Sequence, residues 1–222
     1  MKSSTLIRIL LILTGCILIG IAVINLKADD QKPLLIAEGS TIIEQQGFLP
    51  MVVQQELESP NLPTLSAPAA IPDRILISSI NLDAPIVSAE NEIIEIDDVE
   101  YIQVLVPEEF AAGWHLDSAP LGEIGNTVIS GHHNAFGEVF KNLHLLDIGD
   151  TFEVFSGDER FVYIIGRKLI LEEKEVSMEQ RLENARWLLP SNDERLTLVT
   201  CWPAKSNTHR LILVAVPYSG QE

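Results

Sequence analysis

Two regimes of apolar patterning divide the chain. Ile9 to Leu26 reads ILLILTGCILIGIAVINL, 18 residues without a charge. As a helix this run spans about 27 Å, roughly one hydrocarbon core. Lys2 and Arg8 precede it, and Lys27 is followed at once by Asp29 and Asp30. The positive-inside bias therefore predicts a cytoplasmic N-terminus, a single crossing and an extracytoplasmic remainder. No second apolar stretch of that length occurs after it. Two rival readings are a cleaved signal peptide and a lipoprotein signal at Leu13-Thr14-Gly15-Cys16. The first lacks a small-x-small site after Leu26. The second expects polar sequence after the cysteine, whereas the apolar run continues through Leu26.

Beyond residue 28 the pattern becomes short and interrupted. Residues 29–71 carry Pro33, Pro50, Pro60, Pro63 and Pro68, a density that forbids a continuous helix and favours an extended stalk. Leu34-Leu35-Ile36 and Met51-Val52-Val53 are apolar enough for parts of the stalk to pack on the C-terminal domain. Holding that domain away from the membrane is the favoured role, and a lid over a site the lesser one. From Pro72 onward, strand-like runs cover Arg74–Ile80, Ala84–Ser88, Tyr101–Val106, Asn126–Gly131, Thr151–Phe155, Arg160–Leu171, Arg195–Cys201 and Arg210–Pro217. Gly, Asp and Asn punctuate the gaps. Met178–Leu189 alone has helical spacing, through Leu182, Ala185, Leu188 and Leu189. The expectation is a mainly β fold, an eight-stranded β-barrel with one or two short helices over residues 72–222, preceded by a single N-terminal transmembrane helix.

Charge narrows the function. The formal net charge is −17. Residues 1–28 hold three basic residues and no acid, so the rest carries −17 − 3 = −20. Such a surface excludes a nucleic-acid partner and disfavours anionic headgroups.

The chain has two cysteines. Cys16 falls inside the expected span, which leaves Cys201 as the only thiol of an extracytoplasmic domain. A leftover cysteine there is either bonded to another chain or kept as a reactive thiol. Cys201 ends the run Leu196-Thr-Leu-Val-Thr-Cys201, and Trp202-Pro203 then stops the ladder. After a short loop the chain resumes at His209-Arg210 and runs apolar to Val216, so a tight return would set Arg210 beside Cys201. An arginine opening an apolar strand needs a partner or a site. Thr127-Val-Ile-Ser-Gly131-His132-His133-Asn134 is another strand ending in polar residues, from which an imidazole would meet the thiol across the barrel.

These elements together resemble the sortases. Thr197-Leu198-Val199-Thr200-Cys201 is similar to that family's T-L-x-T-C nucleophile motif, Arg210 stands where the family has its arginine, and Gly131-His132 resembles its G-H. Pro72–Val87, Ala112-Gly113-Trp114-His115 and Gly122–Asn126 extend the likeness over roughly residues 72–217. The resemblance implies an eight-stranded β-barrel, with Cys201, His132 and Arg210 catalytic and Thr200, Trp202, His133 and Asn134 near the substrate. It also implies a transpeptidase that cleaves a C-terminal sorting signal of secreted proteins through a thioester. The acceptor is an amine of the cell wall or of a pilin, and no cofactor is needed. Gly113-Trp114 with Gly125-Asn126 is closer to classes D and E. An Asp-Pro-aromatic lid segment, usual in the pilus-building class, does not occur.

Other readings compete. A catalytically inactive, membrane-anchored β-barrel that binds peptides would keep the core without needing the thiol. A metal site from His132, His133, His144 and Cys201 lacks the paired spacing of structural zinc. Some sortases bind calcium through acidic loops, which Glu172, Glu173 and Glu175 would imitate; such a run is more simply a solvated loop.

Overall fold

The computed structural model describes residues 52–53, 69–96 and 98–220. The expected membrane span, the Cys16 lipidation alternative and most of the stalk lie outside the described residues. Within them, no helix is long and apolar enough to cross a membrane.

Ten strands form one sheet system: β1 (Val52–Val53), β2 (Arg74–Ile77), β3 (Leu82–Ile96), β4 (Val99–Leu105), β5 (Ala112–His115), β6 (Gly125–Ser130), β7 (Thr151–Ser156), β8 (Glu159–Glu172), β9 (Glu194–Trp202) and β10 (His209–Pro217). Their hydrogen-bonded order is β1-β4-β3-β2-β7-β8-β10-β9-β6-β5. A parallel pairing of β5 with β3, Ile86 against Ala112, joins the two arms, so eight strands share one ring of ladders. The far half of β3 runs past that ring and pairs with β4 instead, from Glu90↔Leu105 to Ile96↔Val99. Val52 and Val53 add a short antiparallel strand to β4, opposite Gln103 and Ile102. That is where one of the stalk's two apolar runs joins the sheet through backbone pairing.

Alternation along the strands builds the core. Ile75, Ile77, Leu82, Ala84, Ile86, Ile129, Phe152, Val154, Leu196, Leu198, Leu211 and Leu213 fill the principal cluster. The opposite face of β6, β9 and β10 carries Val128, Val199, Ile212 and Val214, and packs against Ala185 and Leu188. The helix α1 (Met178–Ala185) supplies Ala185. Ser177 caps it, accepting from the Gln180 amide. A 3₁₀ turn then takes over at Arg186–Leu188, where the sequence pattern continues the α-helix to Leu189. Buried Glu173 meets Arg181 of α1 at 3.1 Å, so this member of the acidic run faces inward onto a guanidinium. Among the described residues no group of three or more His, Cys, Asp or Glu is arranged to hold a metal ion, including the His132, His133, His144 and Cys201 set.

The strand forecast differs most from the structure in three places, the remaining bounds shifting by a residue or two. Arg74–Ile80 is strand only to Ile77, after which Ser78–Ile80 forms a 3₁₀ turn ending at left-handed Asn81. The β3 strand extends eight residues beyond Ser88 because β4, not a turn, receives its edge. The four-residue β5 was not recognised as a strand because its run, Ala-Gly-Trp-His, is buried on both faces and does not alternate.

His115 on β5 is buried, and its Nε2 lies 3.1 Å from Ser130 Oγ. Burial holds its pKa down at about 4. Between the ordinary value of 6.5 and about 4 the unfolded chain takes up a proton that the folded one refuses. Stability therefore falls as pH drops through that window, by about 3 kcal/mol in all. Urea unfolding across this range should show the loss, and His115→Gln should flatten it.

Candidate active site

Each of the three candidate catalytic side chains is placed by a ladder. On the antiparallel β9–β10 pair the register sets Arg210 directly opposite Cys201, so both point from the same face. Arg210 Nη1 lies 3.5 Å from the Cys201 sulfur. Cys201 is in no disulfide. The β9 ladder runs one residue further than the sequence pattern implies, to Trp202 opposite His209. Cys201 is therefore the last in-sheet position but one.

His132 arrives differently from the expectation. The β6 and β9 strands are not across the ring from each other but are parallel neighbours, with Ser130 opposite Val199. The pairing carries on beyond the strand: Gly131 N–H donates to the Val199 carbonyl at 3.1 Å, and the Thr200 hydroxyl donates to the Gly131 carbonyl at 2.7 Å. His132 thus leaves the sheet level with Cys201. The reason is connectivity: the long excursion through β7, β8 and α1 brings β9 back alongside β6, which no local pattern reports.

Val106 ties the imidazole to the thiol. It packs with Cys201 in a small apolar cluster, and its carbonyl accepts a hydrogen bond from the His132 ring. Phe136 covers the imidazole on another side, with ring centroids 4.9 Å apart and 50° between planes. Burial pushes the His132 pKa down, and the Val106 carbonyl opposes this by favouring the protonated ring. Val106 and Phe136 were not legible as site residues, because neither side chain carries polar chemistry: Phe136 acts through packing, and Val106 through packing and its backbone carbonyl.

Gly131 is required by space. A Cβ there would fall 2.5 Å from Phe140 Cδ2 and 2.7 Å from Val139 Cγ1. Gly131→Ala should push the segment off β9 and displace His132. We expect a stability loss of about 1–3 kcal/mol, together with loss of activity beyond what unfolding explains. Thermal melts and turnover of the folded fraction check this.

The four residues expected near substrate fall into two groups. Thr200 is fully buried, its hydroxyl engaged by Gly131, so its placement is that of a positioning residue. Asn134 donates to the Ala204 carbonyl and accepts from Asn207 Nδ2 at 3.3 Å; it staples the loop after β6 to the β9–β10 loop. His133 and Trp202 instead share a ring cluster with His144, with centroid separations of 5.8, 5.4 and 4.8 Å. Trp202 follows Cys201 on β9, but the pleat turns its ring to the other face, where it packs against the principal core cluster.

Access is restricted. Cys201 is 2% exposed, Arg210 1% and His132 5%. A groove of about 710 Å3 adjoins the site and includes His132, but neither the sulfur nor the guanidinium lines it.

A family model described as a sortase domain matches residues 75–218, nearly the whole of the described domain. The chain belongs to the sortase family. Sortases are cysteine transpeptidases, and the mainly β architecture with few helices is theirs. Among solved structures, sortase C1 from Streptococcus agalactiae is similar at 22% identity, over 67% of this chain and 68% of that one, with a TM-score of 0.51. The lid mutant of sortase A from Corynebacterium diphtheriae is similar at 21% identity, over 70% and 74%, also with a TM-score of 0.51. A sortase D5 transpeptidase from Clostridium perfringens stands at 24% identity, over 67% and 79%, with a TM-score of 0.48. No curated protein matches the chain. The likeness is spread over several sortase classes and does not single out D or E.

Proposed function

We propose that this sortase is a single-pass plasma-membrane enzyme, with a cytoplasmic N-terminus and the domain of residues 72–222 outside. It would join secreted proteins bearing a C-terminal sorting signal to an amine of the cell wall or of a pilin. The observation that carries the catalytic part is the 3.5 Å approach of Arg210 Nη1 to the Cys201 sulfur, on a strand whose parallel neighbour delivers His132.

In this reading the Cys201 thiol gives its proton to His132 and attacks the carbonyl of a threonine-like residue. The S–C bond forms, the C–N bond breaks, and the imidazolium protonates the departing amine. Arg210, whose fork keeps its charge at any working pH, stabilises the oxyanion. Neutral His132 then takes a proton from the incoming amine as the new C–N bond forms and the thiolate leaves. Peptide must displace the groups covering the sulfur before the first step.

The decisive experiment exposes the full-length protein to a library of threonine-containing peptides and weighs the intact protein. A mass increase equal to the N-terminal fragment, released by an added amine as an amide product, supports the reading. Peptide binding without any adduct would favour the inactive peptide-binding barrel.

The two steps need opposite forms of His132, which sets a pH dependence. Its pKa lies below the ordinary 6.5, so the neutral form that aminolysis needs persists into mildly acid solution. Expressed per free-base acceptor at each pH, aminolysis of the isolated acyl-enzyme should fall off only below pH 6.5. A fall beginning above that value in single-turnover experiments would remove His132 from the base role.

A further inference from the structure

The groove beside His132 has a chemical character that the transpeptidase reading does not itself explain. It lies along the part of β3 that overshoots the ring and along β4. Its lining includes Glu90, Glu92, Glu108 and Glu109, and no lysine or arginine. The pleat puts Glu90 and Glu92 on one side of β3, and the ladder sets Gln103 opposite Glu92. Glu108 and Glu109 come just after β4 in sequence. Glu90, Glu92 and Glu109 make no ion pair among the described residues.

Two further observations separate this groove from an ordinary acidic surface. Gln103 is only 7% exposed, lines the groove, and has its side-chain amide unengaged by any described residue. Its amide is not among the fully enclosed polar atoms that lack a partner, so it opens to the groove and can bond a ligand there. The carboxylates also do not converge on a point that would suit a metal ion. They are strung along a cavity of about 710 Å3, which suits an extended chain carrying positive charge. His132, the group that must take a proton from an attacking amine, lines the same cavity.

We propose that this groove is the acceptor entry, and that Glu90, Glu92 and Glu109 select an acceptor carrying ammonium groups. The inference rests on the transpeptidase reading and names the substrate class of its second step. The ammonium is drawn in by the carboxylates, with Gln103 offering its amide to the acceptor's polar backbone. The reacting nitrogen arrives as the free amine while a second nitrogen of the acceptor carries the ammonium charge; beside His132 it attacks the thioester carbonyl, forms the C–N bond and passes one proton to the neutral imidazole. The C–S bond breaks, leaving the thiolate of Cys201.

The test uses two acceptors on the full-length protein: 1,5-diaminopentane, a dication at neutral pH, and hydroxylamine, which is uncharged there. The quantity read is the ratio of their kcat/KM values for release of the preformed acyl-enzyme. In Glu90→Gln/Glu92→Gln this ratio should fall about tenfold, and higher ionic strength should lower it in the unsubstituted protein. Both glutamates are exposed, so the fold should tolerate the change. Glu109→Gln, in a separate loop, gives an independent reading in the same direction. A ratio equal to that of the unsubstituted protein in both variants overturns the proposal while leaving the transpeptidase intact. Failure of the unsubstituted protein to form any acyl-enzyme, seen by mass before an acceptor is added, overturns both.

Discussion

Cys201→Ala should abolish acyl-enzyme formation and lower sorting-peptide cleavage by about three orders of magnitude or more, while the protein stays folded. The size of the effect comes from the chemistry. Without sulfur no thioester can store the acyl group, and the remaining rate rests on transition-state stabilisation by the other groups. The folding cost is small. Cys201 is buried against Val106, and removing one sulfur atom from such a site costs about 1 kcal/mol. Intact-protein mass and cleavage assays on the purified variant check both halves. Cleavage at the unsubstituted rate would end the assignment of the nucleophile.

Arg210→Lys should lower turnover ten-fold or more, and the register explains why the charge alone is not enough. Arg210 reaches the sulfur from the directly opposite position on β10, with Nη1 at 3.5 Å. A lysine keeps a positive charge but presents a single ammonium, and it loses the planar fork that would serve an oxyanion and the peptide together. Removing one oxyanion donor in other enzymes costs about 10²–10³ in kcat. The loss should appear in kcat more than in KM, because the oxyanion exists only on the way through the reaction. Arg210 is also 1% exposed, so a melting curve on the same sample must separate lost chemistry from lost fold. Near-normal kcat in a folded Arg210→Lys protein would take the residue out of the mechanism.

The titration of His115 has a bearing on both experiments. If acid pH weakens the fold through β5, acid limbs in activity profiles mix unfolding with catalysis. His115→Gln removes that contribution and leaves the limb belonging to His132 easier to read.

Much of the site was legible because its order in the chain is tied to local structure. Cys201 and Arg210 sit on two consecutive strands joined by a short loop, and such strands pair antiparallel with little alternative. The proximity of thiol and guanidinium was therefore implied by spacing alone, and the register confirms it. Gly131-His132 was visible as a polar strand end, but its route to the thiol was not. An approach across the ring was expected, whereas β6 runs parallel beside β9. Strand order after an excursion of some sixty residues is decided by which faces bury together, not by any local pattern. Thr200 and Asn134 show the same division. Their positions near the site were evident, yet only the folded chain reveals that Thr200 holds Gly131 and Asn134 joins two loops.

By itself the sequence determined that residues 72–222 would be strand-rich, that one thiol would stand at a strand end with an arginine beside it, and that the outer part of the chain would be strongly acidic. Those features are set by alternation, by proline and glycine punctuation and by charge, all of which act within a few residues. Only the tertiary structure decided that β3 overshoots the ring to pair with β4, that glutamates from both sides of that hairpin line one groove, and that His132 lines it with them. These depend on which distant edges find each other, a choice made by burial of the whole sheet.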